Sequence, residues 1–209
     1  VQRKQQQSPI AKSRPGFPIV VTAPSGTGKT SICRRVAKEM KSVSYSVSVT
    51  TRKPRRGERN GRDYVFVSDK RFKQLVAAGK LAEWASVYGS CYGTPRTWLE
   101  SRLEKGRSVL LALDRNGGEM IRNKYPGAVL VYLLPPSVRE LKRRLEGRRT
   151  DSGSSVKIRL ESARKELGFA REYDYWVVNR KLDQTVAVLK SIITAEGHRR
   201  ERLGSIRLR

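Results

Sequence analysis

Apolar and polar positions along the chain fall into alternating strand-like and helix-like blocks. Residues 17–21 form a continuous apolar run of strand length, and a helical pattern spans 31–40. Residues 44–49 (Ser-Tyr-Ser-Val-Ser-Val) alternate with period two and predict a strand, which delivers a basic turn bent at Pro54. Asn60-Gly61 marks a further turn before the strand-like residues 64–67. A short helix is predicted over 69–79, with Ser68 as its cap and Gly79 as its stop. Residues 81–87 and 88–94 read as a hairpin, so that residues 43–97 make a small strand-rich insert between helical units.

Beyond the insert the period lengthens again. A helix is predicted over 95–105, ending at Gly106, and residues 109–114 are nearly all apolar, as in a parallel strand covered on both faces. A second such strand spans 128–134 and stops at Pro135-Pro136; Ser137 then caps a helix running to Glu146. Residues 147–155 are rich in arginine and serine with no core pattern, the composition of a lid, and a helix resumes over 156–168. Residues 175–179 predict a last strand and 182–196 a closing helix, followed by a loose basic tail. No internal repeat is visible. Strands alternating with helices define an α/β fold with a parallel sheet.

At 209 residues the chain fits one domain with small insertions. No apolar run approaches a membrane span, which predicts a soluble protein. Cys33 and Cys91 match no metal-ligand spacing and read as packing residues in a reducing compartment; His198 reads as solvated. The charge is unusual: 45 Lys+Arg against 19 Asp+Glu give +26, an excess that attracts nucleotides, nucleic acid or an anionic membrane face. Residues 1–16 carry Arg3, Lys4, Lys12 and Arg14 without an apolar signal-peptide core, so secretion is not expected. This stretch reads as a flexible basic arm, or as a remnant of a targeting segment.

The richest local chemistry lies where the first strand meets the first helix. Ala23-Pro24-Ser25-Gly26-Thr27-Gly28-Lys29-Thr30 has the layout of a phosphate-binding P-loop, with Ala23 where the strict pattern has glycine. Gly26 and Gly28 let backbone N–H groups fold around an anion, and the helix N-terminus adds its partial positive charge. Lys29 can reach the β- and γ-phosphates of a nucleotide, and the Thr30 hydroxyl can hold Mg²⁺. The bland alternative is a glycine-rich strand-to-helix turn with no ligand. Asp114, at the C-terminal end of its strand, stands where α/β sheets place functional groups.

Four ordered stretches make the chain resemble the guanylate kinases: the P-loop at 23–30, residues 46–55, the 61–67 and 92–94 segments, and 173–179. The match spans residues 17–197, flanked by the arm at 1–16 and a tail at 198–209. The resemblance implies a P-loop NTPase-type sheet, a GMP-binding insert at 43–97 and a helical lid at 147–165. It implies transfer of the γ-phosphoryl of ATP to GMP with Mg²⁺, in the cytoplasm or an organelle matrix, by a monomer or homodimer. A GTPase fits poorly, because Asn123-Lys124-Tyr125-Pro126 lacks the aspartate of the guanine motif.

By the same resemblance, Ser48, Arg52, Arg55, Tyr64 and Tyr92 hold the GMP phosphate. Two guanidinium forks with hydroxyls around them suit a dianionic phosphate; the competing reading is a solvated basic turn. Glu83 accepts from guanine N1–H and the 2-amino group, or is a structural salt-bridged acid, with Trp84 beside it as core. Thr94 contacts O6, and Asp114 completes the guanine side or orders the Mg²⁺ water shell. Lys29 and Thr30 serve the ATP phosphates and metal, Arg148 and Arg159 close the lid, and Asn179 meets adenine. Lys29, Arg52, Arg148 and Arg159 would then carry catalysis.

The departures are equally specific. Many guanylate kinases place an acid where this chain has Ala112, Arg115-Asn116 replaces a hydrophobic-Gln pair, and Arg180 stands where an acid often follows the asparagine. The alternative is a guanylate-kinase fold kept as a binding module for RNA or a ribonucleoprotein, with non-specific polyanion binding through the basic tails. The retained Gly28-Lys29-Thr30 opposes it.

Overall fold

The structure, a computed structural model, describes residues 15–24, 27–146 and 168–203. The arm through residue 14, Ser25 and Gly26, the lid with Arg148 and Arg159, most of the helix expected over 156–168, and residues 204–209 lie outside the described residues.

Strand Pro18–Thr22 (β1) runs into helix Lys29–Glu39 (α1), then Val43–Tyr45 (β2). The insert follows: Val49–Thr50 (β3), Val65–Phe66 (β4), helix Asp69–Ala77 (α2), and the hairpin Leu81–Val87 (β5) and Ser90–Pro95 (β6). The chain returns through Arg96–Glu104 (α3), Ser108–Ala112 (β7), Arg115–Lys124 (α4), Val129–Leu134 (β8) and Val138–Glu146 (α5). A 3-10 turn at Phe169–Glu172, Tyr175–Val178 (β9), Leu182–Gly197 (α6) and Arg200–Leu203 (α7) complete the described residues.

Five strands form one parallel sheet in the order β2-β7-β1-β8-β9, with β1 in the middle. Side chains alternate across it. Ile19, Val21, Leu110, Val131 and Leu133 face α1 and α6, meeting Ile32, Val36, Val186 and Leu189. Val20, Val109, Leu111, Leu130 and Tyr132 face the other way, onto Leu99 and Ile121 of α3 and α4. Burial on both faces explains why these strands read as unbroken apolar runs. The insert forms a separate four-stranded sheet, β4-β3-β6-β5, over a small core of Val49, Phe72 and Leu81.

Three expectations about the elements differ in the structure. The alternating run at 44–49 is two strands in two sheets: β2 pairs with β7, while β3 pairs with β4 and β6. Period-two alternation reports an extended chain, and an extended chain can cross from one sheet to another. Helix α4 is absent from the sequence reading, because Gly117-Gly118 near its start argues against a helix. Asp114 supplies the missing start signal, its carboxylate accepting from the Gly117 N–H at 3.0 Å. Finally, the C-terminal tail is docked as far as residue 203: the Arg202 guanidinium lies 4.0 Å over the Phe17 ring and donates to the Gly127 carbonyl at 2.8 Å.

Other signals hold. The Ser68 hydroxyl accepts from the Arg71 N–H at 3.2 Å and caps α2. Both cysteines are free, with Cys33 buried and its thiol pushed up to about 12 by that burial. No helix among the described residues is long and apolar enough to cross a membrane. Trp84, read as core in the structural alternative for Glu83, is 43% exposed.

Gly93 sets how closely β6 approaches β5. A Cβ there would stand 2.7 Å from Leu81 Cδ1 and 3.0 Å from the Glu83 carbonyl. Gly93→Ala therefore forces the hairpin apart, at a cost of about 1–3 kcal/mol. In a chain of this size that lowers Tm by roughly 2–10 °C. An unchanged melting curve would show that the two strands separate freely.

Candidate functional site

The phosphate cradle is built by β1 and α1. Gly28 adopts φ +86°, the left-handed conformation that turns the chain into the helix, and a Cβ there would meet Asn179 Nδ2 at 3.6 Å. The helix begins at Lys29, two residues earlier than the sequence pattern indicates, so the lysine and Thr30 occupy its first turn. The Thr27 hydroxyl and N–H both donate to the Pro24 carbonyl, at 2.7 and 3.2 Å. Behind the turn, the Asn179 amide donates to the Thr27 carbonyl at 2.6 Å and accepts from the Thr185 hydroxyl at 2.9 Å. Asn179 is thus buried as a strut beneath the loop. The resemblance gives it to adenine; here each end of its amide makes one bond to protein.

A cavity of about 530 Å³ opens in front of this cradle. Gly28, Lys29, Thr30 and Asp114 line one side, and Arg55, Tyr64 and Tyr92 of the insert line the other. Lys29 Nζ donates to the Leu113 carbonyl at 2.6 Å, at the carboxyl end of β7 beside Asp114. The Tyr64 and Tyr92 rings meet edge to face with centroids 6.0 Å apart. Ala23, Pro24 and Thr27 complete the P-loop wall.

Arg52 and Ser48 stand outside that wall. The Arg52 guanidinium lies over the Tyr64 ring at 5.3 Å, and its Nη2 donates to both Glu58 oxygens at 2.8 and 3.0 Å. Partial burial works against its charge, yet the Glu58 contacts hold it more firmly protonated than a free guanidinium. Glu58 also accepts from the Arg55 N–H at 2.7 Å. One carboxylate therefore gathers both arginines of the expected phosphate site. The sequence reading passed over Glu58 as part of a basic turn; its signal was being the one acid among six cations between Arg52 and Arg62.

Glu83 and Thr94 pair deeper in the insert, where the Thr94 hydroxyl donates to Glu83 Oε1 at 2.6 Å. Glu83 is 2% exposed and, among the described residues, makes no salt bridge, which disfavours the reading of it as a salt-bridged acid. Burial pushes its carboxyl up to about 7, against the Thr94 hydrogen bond, and the nearby Asp114 charge adds to the rise. Its other oxygen faces Gly117 of α4, where a Cβ would stand 2.8 Å away. Arg115 is a further residue of the wall: it stacks 3.8 Å over the Phe169 ring and pairs with Glu172 at 3.0 Å.

A parallel sheet with a P-loop at the end of its central strand, opposed across one cavity by a basic and hydroxyl-rich insert, defines the class: a P-loop kinase fold. Within that class the comparisons are specific. A model of the guanylate kinase family matches residues 16–196, and the chain belongs to that family. The guanylate kinase of Syntrophotalea carbinolica is 44% identical over 192 residues, 92% of this chain and 91% of the relative. That of Dechloromonas aromatica is 43% identical over 179 residues, 86% and 89% of the two chains. The crystal structure of guanylate kinase from Anaplasma phagocytophilum matches with a TM-score of 0.78 at 31% identity, over 91% of this chain and 90% of that one.

The Glu83 carboxyl binds its proton more tightly folded than unfolded. Its contribution to stability is therefore complete below the ordinary glutamate range, about pH 4.5, and is lost as pH rises through about 7. Glu83→Gln keeps an acceptor for Thr94 and removes that loss. The variant gains roughly 3 kcal/mol over the parent between pH 5 and pH 8 in denaturant titrations. Parallel pH profiles would show that this carboxyl titrates normally.

Proposed function

We infer that this chain transfers the γ-phosphoryl group of ATP to GMP, giving ADP and GDP. The observation that carries the reading is the single cavity lined by Gly28, Lys29 and Thr30 on one side and by Arg55, Tyr64 and Tyr92 on the other. Two anionic substrates entering from opposite walls meet end to end there. A GMP phosphate oxygen attacks the γ-phosphorus, the bond to the β,γ-bridging oxygen breaks, and ADP leaves. The protein's work is alignment and charge neutralisation. Lys29 moves from the Leu113 carbonyl onto the ATP phosphates; Arg55 with Tyr64 and Tyr92, and Arg52 once exchanged from Glu58, hold the GMP phosphate.

Glu83 reads the base. A carboxylate facing two N–H donors favours guanine over adenine, and those donors stabilise the ionised form of a group otherwise pushed up to about 7. Thr94 orients it. Glu83 is buried, so guanine reaches it through movement of the hairpin β5–β6, which also draws the GMP phosphate towards the P-loop. Arg148 and Arg159 remain, by resemblance, the lid cations.

The residues fit Mg²⁺. Thr30 and Asp114 offer only oxygen donors beside the phosphate cradle, as a hard cation held mainly by substrate phosphates and water requires. Among the described residues no group of three or more His, Cys, Asp or Glu forms a protein cage. When bound, the ion neutralises charge on the transferring phosphoryl group.

The direct test is coupled-assay turnover of Mg·ATP with GMP, AMP, IMP and UMP. GMP is preferred over AMP by on the order of 10⁴-fold in kcat/KM. Lys29→Ala lowers kcat about 100-fold or more. Absence of turnover, with salt-sensitive RNA binding that survives Lys29→Ala, would replace this reading with the binding module.

Ala112 lies partly buried against the sheet core, two residues before Asp114. Ala112→Asp adds an oxygen donor there and lowers, several-fold, the Mg²⁺ concentration giving half-maximal rate. An unchanged metal requirement would show that position 112 does not reach the ion.

A further inference from the structure

We propose that Arg34 is a positioning residue that clasps the P-loop helix to the insert through Asp63 and so sets the spacing between the two substrate walls. The proposal rests on the phosphotransferase reading. Arg34 belongs to α1, whose first turn carries Lys29 and Thr30. Its Nη1 donates to Asp63 Oδ1 at 2.6 Å, and its Nη2 points at the Arg62 and Asp63 carbonyls, both at 3.4 Å. The guanidinium also lies 5.5 Å over the Tyr45 ring at the end of β2. One fork thus touches helix, core sheet and insert.

Asp63 is built to receive it. The residue is 8% exposed, and its second oxygen accepts from the Arg59 N–H at 2.8 Å and from Arg62 Nε at 2.9 Å. These contacts, the Arg59 N–H first and Arg34 next, hold its carboxyl well below the usual carboxylate range. Asp63 is therefore a fixed anion, ionised at any working pH. It immediately precedes Tyr64, which lines the cavity and carries Arg52 over its ring. A shift of Asp63 relative to α1 is a shift of the GMP-phosphate wall relative to the P-loop. At its other end the insert packs against α4 through β5, so Arg34 fixes the side nearest the phosphates.

Phosphoryl transfer is sensitive to such spacing, since misplacement by about 1 Å can cost 100-fold. Asp63 also organises its own loop, so its removal can unfold the turn; Arg34 is the cleaner position to vary. Arg34 keeps 36% of its side chain exposed, which tempers the strength of the pair by solvent screening.

Steady-state kinetics of the full chain with Arg34→Ala and Arg34→Lys test the clasp. Arg34→Ala raises KM for GMP about tenfold and lowers kcat by a similar factor, while KM for ATP stays within about twofold and the melting temperature barely moves. Arg34→Lys, which retains the charge and one donor towards Asp63, recovers part of the loss. Unchanged GMP kinetics, or equal losses for both nucleotides, overturn the proposal. A second measurement is independent of turnover. Spin labels at Lys38→Cys on α1 and Lys53→Cys on the insert, in a Cys91→Ser background with Cys33 buried, report the distance across the clasp. Arg34→Ala broadens that distribution. Identical distributions overturn the clasp even where GMP turnover is normal, and a broadened one supports it even where the parent chain shows no turnover, in which case the kinase reading alone fails.

Discussion

The site depends on how the turn between β1 and α1 is held while its front face stays open to anions. Within the described part of the turn, Thr27 bonds the Pro24 carbonyl, and further support comes from behind. Asn179, at the end of the edge strand β9, supplies it through the Thr27 carbonyl, and Thr185 of α6 fixes the amide's orientation. A buried amide with both ends bonded is rigid and specific, whereas a half-satisfied one costs free energy. The cradle is thereby tied to the far edge of the sheet. Its geometry belongs to the whole core and not to eight consecutive residues.

Charge is the second constraint. With 45 basic and 19 acidic side chains, acids are scarce, and their positions are informative. Glu58 takes Arg52, Glu172 takes Arg115, and Asp63 takes Arg34, each beside the cavity. Exposed pairs contribute little to stability. Their effect is to hold long, mobile guanidiniums in defined places and to lower the mutual repulsion of a crowded basic wall. A phosphate that enters competes with Glu58 for Arg52, and its greater negative charge and additional oxygens favour the exchange.

Much of this was legible in the sequence, for physical reasons that also explain the gaps. The strands of the main sheet are covered on both faces, so their apolar runs were unambiguous, and Gly28-Lys29-Thr30 fixed the cradle. The split of residues 44–49 between two sheets was not legible, since both halves are extended and alternate alike. Helix α4 was hidden by glycines that propensity counts as helix breakers. Asp63 was invisible as a partner because it meets its mate through the fold, 29 positions from Arg34, as Asn179 meets Thr27 from 152 positions away; Glu58 and Thr185 lie six positions from Arg52 and Asn179, but no residue pattern pairs them. Asn179, given to adenine by resemblance, also supports the loop from behind, a contact that position in the sequence does not announce.

The glycines that concealed α4 also govern where Glu83 sits. Gly117 starts the helix by donating to Asp114, and its missing side chain is what allows Glu83 to lie against the helix. A methyl group there would meet Glu83 Oε2 at 2.8 Å and Asp114 Oδ1 at 3.1 Å, wedging apart two carboxylates whose closeness helps raise the Glu83 carboxyl. Gly118 plays the matching part on the sheet side, where a Cβ would stand 3.3 Å from Val20. Two small residues thus bring one helix close to the central strand and to the acid of the insert at once. The position of Glu83 is set by atoms that are not there: propensity records the cost of those glycines to the helix, and the packing shows what the space is for.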